Sequence, residues 1–186
     1  MPPVDAARNP ALALTPNVET MESRELLTDS FERINQLVRD IADGLGADEL
    51  QHRPGGSGNP IGWLLWHLTR VQDDHVADLA GAEQSWPQWQ ERFGLPFDES
   101  TVGYGHSSAE VDQVRIADPA LLVDYHAEVH EATLRYLTKV DAAELDRVVD
   151  RRWDPPVTAG ARLVSIEGDC LQHLGQAAYV KGLLAH

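Results

Sequence analysis

The chain has a single cysteine, Cys170, among its 186 residues, so no intramolecular disulfide can form and a disulfide-stapled scaffold is excluded. It also lacks any stretch near the roughly 18 uninterrupted apolar residues that a membrane-spanning helix requires. Basic residues are scarce, with 15 Lys+Arg against 30 Asp+Glu, a formal net charge of −15 and an isoelectric point near 4.7. So acidic a surface repels phosphate backbones and argues against a nucleic-acid partner. Near the start, Arg8 stands without a compact apolar run, so the features of a secretory signal are missing. With the lone thiol, these absences point to a reducing cytoplasm. Neither strand-like alternation nor an internal repeat is visible.

What remains is an ordinary globular composition, 42% apolar and 24% charged, of a length that suits one domain. Residues 1–20 hold four of the eleven prolines (Pro2, Pro3, Pro10 and Pro16) without a sustained period, and read as a flexible tail. Met21 offers an alternative start, and residues 21–186 form the folded part. Leu27, Phe31, Ile34, Val38, Ile41 and Leu45 recur at steps of four and three, the signature of a first helix from Ser23 that Gly44 and Gly46 end. Asn59 and Pro60 read as cap and first residue of a second helix, Pro60 to about Ala80, closed by Gly81. Asp118 and Pro119 repeat the device for a third, with Leu122, Tyr125, Val129, Ala132, Tyr136 and Val140 as its apolar stripe. Leu163, Ile166, Cys170, Leu174, Ala177 and Leu184 mark the last. A long crossover, residues 82–117, carries a short Trp86/Trp89 segment and a capping box at Ser107 and Glu110. The pattern predicts an all-α four-helix bundle with a long crossover between helices two and three.

Three positions carry the chemistry. Asp169 and His173 are four residues apart, so their side chains differ by only about 40° around the axis and about 6 Å along it. They can converge on one ion, or be no more than an exposed pair. His67 lies in an almost wholly apolar run, Ile61 to Leu68, where an imidazole must find a polar partner. That partner is either a backbone carbonyl or an ion also held by the last helix. Arg162 and Gln176 share the polar stripe of Asp169 and His173, and Trp63, one turn before His67, can line a pocket. His126 and His130 have chelating spacing too, but beside Asp124, Glu128 and Glu131 they read better as a solvated face. His75 reads as a packed histidine or pocket wall, while His52, His106 and His186 receive no role. Cys170 falls on an apolar stripe as a small core residue, and Trp66, Trp86, Trp89 and Trp153 read as core and lid.

The ordered set GNPIGWLLWHLTRVQ around His67, FGLPF with GYGH in the crossover, and DCLQHLGQAAYVKG around His173 resembles the DinB-like superfamily of metal-binding four-helix bundles. More narrowly, it is similar to the actinobacterial mycothiol S-transferases, relatives of mycothiol-dependent maleylpyruvate isomerases. The likeness spans nearly all of residues 22–184. It implies a divalent metal, usually zinc, with nickel, iron or manganese as alternatives, held by His67, Asp169 and His173. Many relatives have histidine where Asp169 stands, and the isomerases have glutamate. The resemblance further implies detoxification or stress chemistry in which a small-molecule thiol, mycothiol, is joined to an electrophile, with Trp63, Arg162 and Gln176 beside the substrates. No membrane or nucleic acid is expected as partner, and the chain is expected as monomer or homodimer. The rival readings are an isomerase or hydrolase on the same scaffold, and a non-enzymatic metal-binding bundle.

Overall fold

The computed structural model describes residues 21–185; the expected tail at 1–20 lies outside them. Four long helices carry the architecture: α1 (Ser23–Ala42), α3 (Ile61–Ala80), α6 (Pro119–Leu137) and α8 (Ala159–Leu184). Short helices α2 (Ala47–Gln51), α4 (Trp86–Phe93), α5 (Ser108–Val111) and α7 (Ala142–Asp146) lie in the connections. α3 packs against α8 on one side and α6 on the other, and α1 closes the bundle against α6 and α8.

Each long helix forms for a reason written in its stripe. In α1, Phe31, Ile34, Val38 and Ile41 are buried, and in α8, Leu163, Ile166, Cys170, Leu174, Ala177 and Val180 are. Each large apolar side chain taken from water contributes about 1.5–3 kcal/mol, so these stripes fix which face turns inward. α3 differs in being buried nearly all round, from Ile61 to Asp73, as its unbroken apolar run requires. Asp118 caps α6 by accepting the amide of Ala120 at 2.9 Å, and Thr158 caps α8 from Ala161 at 3.2 Å.

Several expectations need correction. Pro60 is the extended residue before α3 (φ −76°, ψ 158°), not its first helical residue, so Asn59 is not the cap. The loop before it is organised instead by Arg53, which donates to the carbonyls of Ser57 and Gly58 at 2.7 and 2.8 Å. A small antiparallel hairpin exists, β1 (Val148–Asp150) with β2 (Val157–Thr158); strands of three and two residues are too short for alternation to register in sequence. Trp153 is 66% exposed and belongs to no core.

The largest correction concerns His126 and His130, which do not face solvent. His126 is fully buried and His130 nearly so, because the polar flank of α6 is covered by α1 and α3. Thr69 on α3 donates its hydroxyl hydrogen to Leu65 O at 2.8 Å and so accepts from His126 Nδ1 at 3.1 Å. Burial, and then the neighbouring His130, depress His126 to about 3, so it stays neutral.

The crossover is stitched to α3 by a buried polar knot. Arg70, with no exposed surface, donates to the carbonyls of Glu99 and Thr101 at 3.0 and 3.3 Å and to Gln84 at 2.9 Å. Its guanidinium lies 4.7 Å from the Trp86 ring centroid. Asp73 accepts the amides of Ser85 and Trp86 at 2.9 and 2.8 Å, holding the start of α4, and takes a third hydrogen bond from Tyr125 at 2.8 Å. Arg70 sits one turn from His67, so the chain it holds, residues 99–103, lies across the position where His67 emerges.

Candidate metal centre

His67 on α3 and Asp169 and His173 on α8 meet where those helices pack together. One ligand atom from each lies within 4.8 Å of the others, and the His67 and His173 ring centroids are 4.8 Å apart, nearly perpendicular. The two alternatives for His67 prove not to exclude each other: it bonds a carbonyl and also faces the last helix. Its Nδ1–H donates to Val102 O, which fixes the tautomer and leaves the Nε2 lone pair free for an ion. His173 Nδ1 donates to Gln176 Oε1 at 3.3 Å, which frees its Nε2 in the same way. That Nε2 stands 3.6 Å from Asp169 Oδ1.

The second carboxylate oxygen tests whether these residues suit a metal. Asp169 Oδ2 is buried without a hydrogen-bond partner, and an orphaned buried carboxylate oxygen is costly unless a proton or cation satisfies it. Two imidazole nitrogens and one carboxylate match the donor preferences of zinc and its neighbours, so the residues fit a divalent cation.

Electrostatics agrees. Burial lowers the His67 pKa, only partly offset by the Val102 carbonyl, so its imidazole is neutral at neutral pH. Burial lowers His173 as well, but the hydrogen bond and charge of Asp169 outweigh it and leave that pKa raised.

The residues around the ligands divide by what they touch. Trp63 stacks on His67 with centroids 4.6 Å apart and donates from its indole to His106 Nδ1 at 3.3 Å. Gln176 orients His173. Arg162 lies about two turns before Asp169, at the start of α8, and donates to His75 Nδ1 at 3.1 Å, with Asp150 3.7 Å away. His75 and Arg162 line a cavity of about 400 Å³ with Asp74, Asp78 and Arg152.

Sequence reasoning gave no role to the crossover tip, which supplies the mouth of the site. Gly103 has φ +97°, and a Cβ there would sit 2.7 Å from His67 Nδ1, so only glycine lets Val102 reach the ring. Tyr104 follows, 59% exposed, its ring edge-on to His67 at 5.2 Å. Partial burial and the nearby Asp169 raise its phenol pKa, so it remains a proton donor. The signal was the run Gly103-Tyr104-Gly105, in which two glycines flank an aromatic residue. Cys170 is buried, with its thiol pushed up by burial and Asp169, and is inert as a nucleophile.

No curated protein matches the chain. Among solved structures it is similar to a conserved protein from Enterococcus faecalis, with a TM-score of 0.80 and 29% identity over 87% of this chain and 96% of that one. The family model described as the DinB superfamily matches residues 30–177, from α1 through Asp169 and His173 of α8, and the chain therefore belongs to the DinB superfamily.

Proposed function

We propose that the protein is a metal-dependent thiol S-transferase that joins a low-molecular-weight thiol, mycothiol, to an electrophile. The observation that carries this reading is the convergence of His67, Asp169 and His173 with both Nε2 lone pairs free and Asp169 Oδ2 unpartnered. Three protein donors leave a fourth position for a substrate, the pattern of a catalytic site. Zinc is the preferred ion, with nickel, iron and manganese as the alternatives.

A divalent cation held there would carry a formal charge of +1 with two neutral imidazoles and one carboxylate, and would favour a bound thiol as its thiolate. The protein's own groups do the rest. Val102 and Gln176 hold both imidazoles in the correct tautomer. Trp63 and Tyr104 pack against His67 and wall the mouth, where they would limit water around a bound thiol. The thiol proton leaves to solvent, the sulfur pair forms a carbon–sulfur bond, and the leaving group departs with the carbon's former bonding pair. Tyr104, whose raised phenol pKa keeps it protonated beside His67, is the group available to give a proton to the departing group. The cavity at His75 and Arg162 suits a hydroxyl- and amide-rich thiol, which hydrogen-bonds to mixed charges without a basic patch.

The experiment is a conjugation assay with an alkyl or aryl halide. Thioether should form only when both metal and thiol are supplied. Turnover of ester or amide substrates without thiol would instead favour a hydrolase, and thiol-dependent rearrangement without a stable conjugate would favour an isomerase. A metal site whose cobalt spectrum ignores added thiol would leave only the non-enzymatic bundle.

A further inference from the structure

The outer face of α8 points to an interface. Of the large apolar residues that are exposed among the described residues, Leu26 and Leu37 of α1 and Val164, Leu171, Tyr179 and Leu183 of α8 fall on these two neighbouring helices. Their adjacency is set by the Ser30 to Glu167 hydrogen bond and by Lys181, which donates to the carbonyls of Asp40 and Asp43. At 100° per residue, Ala161, Val164, Gly168, Leu171, Gly175, Ala178, Tyr179 and Gly182 all fall within an arc of about 100°. That arc contains no ionised side chain, in a chain of net charge −15. It lies on the far side of α8 from Asp169 and His173.

Three glycines in this arc, Gly168, Gly175 and Gly182, recur every seven residues, and a Cβ on any of them would meet nothing within 4 Å. Glycine weakens a helix relative to alanine, and no packing inside the chain requires these three. A heptad of small and apolar residues on a helix is matched by another helix laid along it at close range.

We infer that this face joins two copies of the chain through antiparallel α8 helices. The charge pattern selects the occupant. Two copies of net charge −15 repel wherever their acidic surfaces meet, and this uncharged arc lets α8 meet itself without opposing like charges. A twofold axis presents the same patch to itself, and an antiparallel register is available in which Val164 faces Gly175 and Leu171 faces Gly168 of the second copy. In this register residues 159–180 of the two α8 helices lie alongside each other, about 33 Å, and α1 beside α8 widens the face to about 20 Å. The footprint, on the order of 650 Å² a partner, falls at the lower end of standard specific interfaces.

Sedimentation of the full chain tests this, with Gly175→Arg and, separately, Val164→Glu. Wild type should sediment at twice its chain mass of 20.5 kDa, and each variant at the monomer mass, with helical circular dichroism and metal content unchanged. Gly175→Ala, which favours the helix, should raise the thermal midpoint of the monomer while weakening association at least tenfold. A wild-type monomer at all concentrations, as when residues 1–20 or another protein cover the face, would overturn the inference. So would a dimer that survives both substitutions.

Discussion

Two histidine clusters lie on opposite sides of α3, and they differ in what surrounds the same side chain. His67 and His173 face α8, with a carboxylate between them and a mouth formed by Gly103 and Tyr104. His126 and His130 face α1 and α3 and belong to no three-residue ligand group among the described residues, and His126 has no exposure at all. Both pairs leave imidazole nitrogens buried without a partner or free for one. The difference teaches that spacing on a helix does not make a metal site. His126 and His130 share the i, i+4 spacing of Asp169 and His173, yet among the described residues only the α8 pair is joined by a third donor from a facing helix within ligand distance.

Acid breaks the comparison most severely. His126 binds its proton at about 3 when folded and near 6.5 when unfolded, so between those values the unfolded chain holds the extra proton. Its stability contribution is therefore complete above about pH 6.5 and falls by about 1.4 kcal/mol per pH unit as pH drops through the window. Urea melts of metal-free protein from pH 7 to 5, where most carboxylates are silent, should show this loss. His126→Gln should flatten the slope by one proton's worth while leaving metal content intact.

Crowding the mouth should affect only the other cluster. Gly103→Ala places a methyl group against His67 and strains a backbone at φ +97°, so metal affinity should fall about 10–100-fold, read by competition with a chromophoric chelator. The acid slope of the His126 side should not move. The smallest effect is expected from Gln176→Ala, which frees the His173 ring and should weaken the metal about tenfold, again with unchanged stability in the metal-free state.

The bundle was legible because its stripes are regular: Phe31, Ile34, Val38 and Ile41 of α1, Leu122, Tyr125, Val129 and Tyr136 of α6, and Leu163, Ile166, Cys170, Leu174 and Ala177 of α8 are buried as the period predicts, and Asp118-Pro119 starts α6 where expected. The candidate ligand group was legible because two of its members share one helix and the third is a histidine in an apolar run. The environment of His126 was not, since the acidic residues beside it in sequence say nothing of α1, which covers it from across the bundle. Nor was the role of Gly103, because a positive φ and a carbonyl aimed at an imidazole emerge only when the Arg70 knot folds the crossover back onto α3.

Metal content per chain, measured in parallel for wild type, His67→Ala, His173→Ala and His126→Ala, tests the central claim most directly. The expected result is about one ion in wild type and His126→Ala and almost none in the other two, since three donors define the site. Full metal content in both His67→Ala and His173→Ala, or its loss in His126→Ala alone, would contradict it.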